Sequence, residues 1–570
     1  MKERDTMKIV NIFATLLLLS AAIVLQGCGN KSGGTSIDSR YSSVCTNLAS
    51  GVRLLSISPT TGPQFGDQQV TAVISGVGPG FTTATVYLGN KARWVTATRQ
   101  SNSTMTITFT TAGTPTAGTY PLVMANSLST CAYLANAYTY RPPVDSAFKT
   151  FVAVGASYTA GFQSDSYNEI AQLNGPATWV ARQAGAYFPI PLIKMPGIPP
   201  DLGLAGLDTT GGYTLDTSNI AQAVVNALID PQTQTMDIPR NFEDTSILPY
   251  NIAVPGATIE NEVTGPASVT SRGLGTIVLS NILFAPQDNS IFETKDIKSE
   301  IQMAEDLHPT IIMSTDLYGN DLVTDNTTLS DFTFYITQAV SAFASTGAQV
   351  FLADVPHISM FPSNQQGALN QLAACGETFG TVSLQTLDQA ASASNSYDCS
   401  TFTTDTCQKN ACSAFASTNQ RIDQFNAEFK QVVAQYPNVH IVPFDELVNG
   451  QLSLSGQKIT FDAHGFPEYI VAGIPLSMSH LGGFYSLDDL HLTNTGYAIL
   501  ASIFVQQINQ TLGTNVPLPD LPSILAGDPL SPPAISDYCS QRGNGQKLFC
   551  QCISGNYLSV TTFTCSTILY

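Results

Sequence analysis

From residue 149 onward, short apolar segments alternate with segments of helical periodicity. Each apolar segment is bounded by Gly, Pro or polar residues and predicts a buried strand; the four lie at residues 149–154, 309–314, 350–355 and 439–442. Helices are predicted around 332–343, ahead of Gly347, over 415–436 and after Gly496. Because strands that alternate with helices form parallel sheets, the sequence predicts an α/β fold with helices on both faces of the sheet.

Residues 54–140 follow a different pattern, with short β-rich runs separated by turn residues. The runs are 70–74, 85–88, 104–110 and 120–124. In the third run Met105, Ile107 and Phe109 alternate with threonines, which is the period-2 pattern of a half-buried strand. Short strands at this spacing predict a β-sandwich of about 90 residues ahead of the α/β region.

The chain is acidic and carries little charge. Lys and Arg number 23 against 42 Asp and Glu, a net charge of -19, and charged residues make up 11% of the 570 residues. This charge would repel a phosphate backbone, so we exclude nucleic acid as a partner.

The first 28 residues have the layout of an export signal, with basic residues ahead of an apolar run at 9–25. The motif Leu-Gln-Gly-Cys that ends the run closely resembles the lipobox of bacterial lipoprotein signals. The resemblance implies that Cys28 is lipidated and becomes the N-terminus after cleavage, and Gly29 in place of Asp favours sorting to the outer membrane. We therefore expect a lipid-anchored protein of the bacterial cell envelope, at the outer membrane or the cell surface if the host has two membranes. An uncleaved membrane anchor is the alternative.

Ten cysteines remain beyond Cys28, an even number that predicts up to five disulfides in an oxidising compartment. Their clustering predicts pairing within three groups: Cys45 with Cys131, four cysteines between 375 and 412, and four in the tail after 516. Zinc binding is the alternative, but no CxxC pair and no nearby His supports it.

Polar or small residues stand at four places where a parallel sheet gathers its functional groups, the carboxyl ends of strands. The four blocks are Gly155-Ala156-Ser157, the segment 251–257 with Gly256, Tyr318-Gly319-Asn320-Asp321, and Asp488-Asp489-Leu490-His491. Asp316 and Tyr318 are further polar groups near the same strand end as Asn320, but spacing assigns them no role.

Together these blocks resemble the SGNH hydrolases, the GDSL lipase and esterase family, and they occur in the family's order. The resemblance implies a flavodoxin-like parallel sheet sandwiched by helices. It also implies that Ser157 is the nucleophile, His491 the general base and acid, and Asp488 the carboxylate that orients the imidazole. The oxyanion hole would consist of the backbone N–H groups of Ser157 and Gly256 and the side-chain amide of Asn320, without a metal or cofactor.

Other residues compete for these roles. Asp489 is the alternative carboxylate and is predicted to be solvated, and His464, with Asp462 two residues before it, is the alternative base. The remaining histidines are predicted to be mostly surface or capping residues. For Asn320 the alternative is that it only caps the segment that follows.

Ala156 departs from the family pattern, because the family's name motif has Asp at this position. That Asp is not part of the proton relay, so the triad is retained. A carboxylate that could hold the turn of the nucleophile is nevertheless missing. We therefore expect either reduced activity or a different hydrogen-bond network around Ser157.

The segments 57–63, 74–78 and 118–120 resemble an IPT/TIG immunoglobulin-like domain. The predicted organisation is a signal peptide at 1–27, a flexible tether at 28–52, an Ig-like β-sandwich at 53–142, a hydrolase domain at 146–515 and a Cys-rich tail at 516–570. A stretch at 186–250, rich in Pro, Gly, Thr and Asp, is a candidate substrate-binding insertion.

The resemblance predicts a lipid-anchored, exported serine hydrolase that cleaves carboxylic esters, of the esterase or lipase type, through an acyl-enzyme. Its partners would be an ester substrate, whether lipid, acylated small molecule or acylated glycan, and the membrane that holds the lipid on Cys28. The alternatives are an acyltransferase or deacetylase that acts on glycans, and a surface adhesion or glycan-binding protein with an inactive SGNH scaffold.

Overall fold

The computed structural model of the protein describes residues 41–42, 45–78, 80–82, 85–126, 130–195, 197–198, 248–265, 298–323, 327–479, 481–540, 556–559 and 564–567. The predicted signal peptide and Cys28 lie outside the described residues, as do most of the candidate insertion at 186–250 and the side chains of the last cysteine group. Among the described residues, no helix combines the length and the apolar character needed to cross a bilayer.

The N-terminal region consists of two mainly antiparallel β-sheets. Its strands are β1 (Asn47–Leu48), β2 (Arg53–Ser58), β3 (Thr61–Pro63), β4 (Gln69–Ser75), β5 (Thr85–Leu88), β6 (Asn90–Lys91), β7 (Arg93–Arg99), β8 (Thr104–Thr110), β9 (Gly118–Ala125) and β10 (Thr130–Arg141). One sheet has the order β2-β4-β8-β7 and the other β1-β10-β9-β5-β6, with β3 beside β10. All four predicted runs are strands, and Met105, Ile107 and Phe109 of β8 are buried as their alternation predicted. The arrangement is compatible with an Ig-like domain.

Disulfides join cysteines within the predicted groups. In the described part of the chain they are Cys45–Cys131, Cys375–Cys407 and Cys399–Cys412. The first fastens the residues ahead of β1 to β10. The pairing within the first two groups is therefore confirmed, and the pairing of the last group stays a prediction.

A four-stranded parallel sheet forms the centre of the second region. Its strands, in spatial order, are β11 (Phe151–Ala153), β12 (Ile311–Ser314), β13 (Gln349–Ala353) and β14 (Val439–Val442). The chain around Asn251 runs parallel along the other side of β11 and forms a bridge to Ala153. Counted along the chain, the five segments lie in the order 2-1-3-4-5, which is the order found in flavodoxin. The predicted parallel α/β class is confirmed.

Helices and small antiparallel ribbons surround this sheet. The helices are α1 (Ser157–Ala160), α2 (Glu169–Leu173), α3 (Pro176–Ala184), α4 (Ile259–Thr264), α5 (Glu300–Leu307), α6 (Gly319–Val323), α7 (Leu329–Ser345), α8 (Gln366–Ala373), α9 (Leu384–Ala390), α10 (Thr406–Val433), α11 (Phe444–Val448), α12 (Asn494–Leu512), α13 (Leu521–Gly527) and α14 (Pro532–Ser540). The 3-10 turns are Ser146–Phe148, Ile358–Met360, Pro362–Asn364 and Ala393–Asn395. The remaining strands are β15 (Ser453–Leu454), β16 (Gln457–Lys458), β17 (Thr460–Phe461), β18 (Pro467–Val471), β19 (Ile474–Ser477), β20 (Asn556–Ser559) and β21 (Thr564–Thr567).

Both faces of the parallel sheet are buried, because successive side chains of each strand point to opposite sides. Phe151 and Met313 contribute to a core that includes side chains of α3 and α12. Val152 and Ile312 contribute to a second core that includes side chains of α5, α7 and α10. Continuous apolar strands are what a sheet covered on both faces requires.

Two of the predicted helix ends can be compared with the structure. Gly347 follows α7 with φ 78 and its N–H bonds to Ala344 O at 3.2 Å, which confirms its predicted capping role. The predicted start of the last helix after Gly496 is wrong by a few residues, because α12 already begins at Asn494. Thr493 Oγ1 accepts a hydrogen bond from Gly496 N at 3.0 Å and so caps the first turn.

The β-sandwich packs directly against the α/β region. Arg182 of α3 binds Asp67 of the sandwich, with an Nη2–Oδ2 distance of 2.7 Å and an Nε–Oδ2 distance of 3.0 Å. The guanidinium stacks 4.2 Å from the ring centroid of Trp179, and Phe65 of the sandwich joins the core beside α3. The two regions therefore share a buried contact in addition to the chain that links them.

Candidate active site

Ser157 lies at the carboxyl edge of the parallel sheet, where the sequence predicted it, as the first residue of α1. The chain leaves β11 through Gly155, which has φ 125. A Cβ at this position would come within 2.5 Å of Ser314 Oγ, so only glycine allows β11 and β12 to end this close together. The sheet edge and the glycine together fix where Ser157 enters its helix.

The carboxylate of Asp316, for which spacing indicated no role, holds this turn. Asp316, just after β12, accepts hydrogen bonds from the backbone N–H groups of Tyr158 at 2.7 Å, Ala156 at 3.1 Å and Thr159 at 3.2 Å. Two signals in the sequence point to it: an acidic residue directly after a buried strand, and an alanine at the N-cap of the neighbouring helix. The turn of Ser157 is therefore held by a carboxylate from another part of the chain, although Ala156 supplies none.

Asp488 and His491 form a hydrogen-bonded pair on the loop ahead of α12. Asp488 Oδ2 lies 2.9 Å from His491 Nδ1, and Asp488 Oδ1 accepts the His491 backbone N–H at 2.8 Å. A spacing of three residues allows one tight loop to make both contacts. Burial alone raises the pKa of Asp488, but the His491 imidazole and backbone hydrogen bonds outweigh it, and the pKa lies below its usual value. Asp488 is therefore an ionised carboxylate at neutral pH.

The segment that follows Ser157 is tied to the loop of His491. Tyr158 donates its hydroxyl hydrogen bond to Leu490 O at 2.5 Å, and Asp165 N donates to Asp488 Oδ2 at 2.8 Å. Residues 332 positions apart in the chain thus meet at one edge of the sheet, and Ser157 and Leu490 line the same pocket.

The two nitrogens of the His491 ring differ in their contacts. Among the described residues, the buried Nε2 of His491 has no hydrogen-bond partner. The ring packs against Phe162 and Tyr158, with centroid distances of 4.7 and 5.6 Å. These contacts and the bond to Asp488 fix the orientation of the imidazole.

The remaining predicted residues lie on the neighbouring loops. Asn320, in the first turn of α6, donates its side-chain amide to Ala257 O at 2.7 Å and lines the pocket with Ser157. Gly256, directly before Ala257, is exposed with φ 85. Asp321 accepts the Ile259 N–H at 2.9 Å and so holds the start of α4 against α6. The structure therefore brings the second and third blocks together beside Ser157.

The alternative residues take other positions. Asp489 is fully buried, so the prediction that it is solvated is wrong. Its backbone carbonyl accepts the Ser363 N–H, and this contact holds the loop against the segment that contains Ser363. Asp462 Oδ1 accepts the N–H groups of His464 and Phe466, which makes it a turn-forming residue.

An apolar pocket opens next to Ser157. It encloses about 630 Å³, its open mouth included. Its apolar walls are formed by Leu322, Val355, Pro356, Ile358, Phe361, Phe444 and Leu490. Ser157, Asn320 and Asp316 lie among its polar lining residues. A hydrocarbon chain attached to a group at Ser157 would meet mostly apolar surface.

Two buried carboxyls that no sequence pattern indicated lie behind the turn. Glu300 Oε2 accepts the Gly155 N–H at 2.8 Å, and Glu262 of α4 is its fully buried neighbour. Burial raises the pKa of Glu262 to about 8, and burial together with the charge of Glu262 raises the pKa of Glu300. The pair therefore retains a proton at neutral pH.

A parallel sheet flanked by helices, with a serine, a histidine–carboxylate pair and amide donors at its carboxyl edge, fits the class of α/β hydrolases. Residues 151–504 match the family model described as GDSL-like Lipase/Acylhydrolase. The match covers more than half of the chain, and the chain belongs to this family. Membership supports an ester-hydrolase type of function and implies an ester substrate. A comparison with curated proteins gave no match.

Proposed function

We propose that the protein is an exported, lipid-anchored serine hydrolase that cleaves carboxylic esters with Ser157, His491 and Asp488. The observation that carries this proposal is the hydrogen bond between Asp488 and the Nδ1 of His491, with Nε2 left unpaired among the described residues. A carboxylate on Nδ1 selects the tautomer whose Nε2 accepts a proton, and the serine turn borders the same loop.

In the proposed reaction, Ser157 Oγ attacks the carbonyl carbon of the ester while its proton passes to His491 Nε2. The bond from the carbonyl carbon to the alkoxy oxygen then breaks, and the alcohol leaves with the proton that His491 returns. Water adds to the acyl-enzyme by the same route, and the carboxylic acid leaves as Ser157 regains its proton. An alcohol in place of water would give acyl transfer.

The charge that develops on the carbonyl oxygen needs donors that are already in place. In this proposal they are the N–H groups of Ser157 and Gly256 and the side-chain amide of Asn320. The contact of Asn320 with the Ala257 carbonyl supports this role, because it keeps the amide next to the Gly256 loop. The apolar pocket would receive the acyl chain of the ester.

A fluorophosphonate probe tests the proposal, because it reacts with activated serines. We expect the folded protein to be labelled on Ser157, and Ser157→Ala to remain unlabelled. Ser383→Ala, at a partly buried helix cap in the disulfide-linked segment, is the matched control and should label normally. Labelling of Ser157→Ala at the normal rate, or no labelling of the folded protein, would refute the hydrolase. A chain-length series of nitrophenyl esters then defines the acyl group.

The anchor at Cys28 and the location in the bacterial cell envelope, at the outer membrane or cell surface if the host has two membranes, are part of the same proposal. They rest on the lipobox-like motif alone. Metabolic labelling with palmitate should mark the wild type, and Cys28→Ala should lose both the label and the membrane fraction. Palmitate incorporation into Cys28→Ala would contradict the anchor.

A further inference from the structure

We propose that Asp316 is the positioning residue for the nucleophile turn, where it acts as a helix cap supplied by the neighbouring strand. The proposal rests on the function above, because it concerns the serine of that site. Asp316 lies just after β12, whereas the turn that it holds follows β11.

The pattern of hydrogen bonds is that of an N-cap. In most helices the side chain of the N-cap residue accepts the N–H groups of the second and third helical residues. In α1 the N-cap is Ala156, whose side chain makes no capping hydrogen bond. Asp316 instead accepts from Tyr158 and Thr159, which are the second and third residues of α1, and from Ala156 itself.

The first helical residue is the exception. Among the described residues, the backbone N–H of Ser157 donates no hydrogen bond, while the N–H groups before and after it are bound to Asp316. Asp316 thus engages the N–H groups on either side of Ser157 and leaves free the one that the proposed oxyanion hole uses. A cap that binds the second and third N–H groups leaves the first one free, and in α1 that free donor belongs to the serine of the proposed site.

Further contacts fix the carboxylate in place. Thr159 Oγ1 donates to Asp316 Oδ1 at 2.7 Å, and the same hydroxyl accepts the Thr315 N–H at 2.9 Å. A Cβ on Gly155 would come within 3.0 Å of Asp316 Oδ1, so the glycine is what lets the carboxylate reach the turn. Asp316 is buried, and burial raises its pKa while these hydrogen bonds oppose the rise.

The test compares Asp316→Ala and Asp316→Asn with a matched buried cap. Asp528 accepts the Thr495 N–H at 2.8 Å and the Thr495 hydroxyl at 2.7 Å near the start of α12, so Asp528→Asn weakens a similar cap on another helix and matches Asp316→Asn. The readouts are the rate of fluorophosphonate labelling, kcat and KM for a nitrophenyl ester, and the thermal midpoint.

We expect Asp316→Ala to lose about 100-fold in labelling rate and in kcat, since small displacements of a reacting group cost about that much, with KM changed less than threefold. Asp316→Asn keeps the volume and one acceptor, so its loss should be smaller. Asp528→Asn should lower the thermal midpoint and leave the labelling rate close to that of the wild type.

A folded Asp316→Ala that labels at the wild-type rate would overturn the proposal, as would a loss confined to KM. If Asp316→Ala does not fold, Asp316→Asn decides on the same readouts. Failure of the wild type itself to label would refute the hydrolase, and this outcome is distinct from a labelled wild type with unaffected Asp316 variants.

Discussion

Two buried histidines lie against carboxylates in the α/β region, and they differ in how many of their ring nitrogens are engaged. His491 binds Asp488 through Nδ1 and keeps Nε2 without a partner among the described residues. His357 binds Asp388 through Nδ1 at 3.0 Å and Asp423 through Nε2 at 3.2 Å. A histidine with one unengaged nitrogen can exchange a proton with a substrate, whereas one held on both sides cannot do so without breaking a contact.

The surroundings of His357 are those of a structural ion pair. Burial alone lowers its pKa, but the hydrogen bonds and charges of Asp388 and Asp423 outweigh burial and raise it to about 10. Asp388 is also bound by Ser359 and Asn419. The imidazolium therefore holds α9 and α10 against the loop after β13. Val355 of that loop lines the pocket.

The largest expected difference between the two histidines is in catalysis. His491→Ala removes the proposed base, and we expect kcat to fall by about 10⁶-fold, the order seen when a triad histidine is removed. His357→Gln, assayed as folded protein, should remain within about tenfold of the wild type. Ester hydrolysis and the fraction folded, measured on the same samples, check this.

A comparable loss of kcat in His491→Ala and His357→Gln would show that the two histidines do not differ in catalysis. A His491→Ala variant with full activity would contradict the prediction as well. His308→Gln is the control for the loss of any histidine, because His308 is exposed at the end of α5. Its activity should equal that of the wild type.

The distance along the chain explains which parts of the site could be predicted. Asp488 and His491 are three residues apart, so their pairing could be predicted from local spacing. The contacts of Asp316 with Tyr158 and of His357 with Asp423 span 158 and 66 residues, and no pattern of spacing predicts such pairs. They depend on which strand ends and helices pack together.

The fold was more predictable than the details of the site. Apolar runs identified β11, β12, β13 and β14, because a sheet buried on both faces needs continuous apolar strands. The burial of Asp489 was missed, since an aspartate on a loop gives no sign that its neighbours will cover it. The segment at 186–250 could be recognised only by its composition.

The second expected difference is in stability. His357→Gln leaves Asp388 and Asp423 without their shared cation, and losing one partner of a buried ion pair costs about 3–5 kcal/mol. We expect a loss of this order in the free energy of unfolding, measured by urea denaturation at neutral pH. His491→Gln should lose much less, because Asp488 keeps its backbone hydrogen bonds. Equal losses in the free energy of unfolding would show that both histidine–carboxylate contacts contribute equally to stability.

The smallest expected difference is in the pH dependence of stability. The pKa of His357 is about 10 in the folded protein and 6.5 as its ordinary value. Because the folded-state pKa lies above the unfolded value, the folded protein binds more protons than the unfolded chain between these two pH values. The stabilising contribution of His357 is therefore fully present below pH 6.5 and decreases as the pH rises towards 10. From pH 7 to pH 9, His357 should remove about 2 kcal/mol from the free energy of unfolding.

Comparison of the wild type with His357→Gln isolates this contribution. Glu262, whose pKa is raised to about 8, gives a decrease of the same sign in both proteins, so it cancels in the difference. Urea denaturation at several pH values should show a stability difference between the two proteins that narrows as the pH rises from 7 to 9. A constant difference would mean that His357 stabilises the fold as a neutral group.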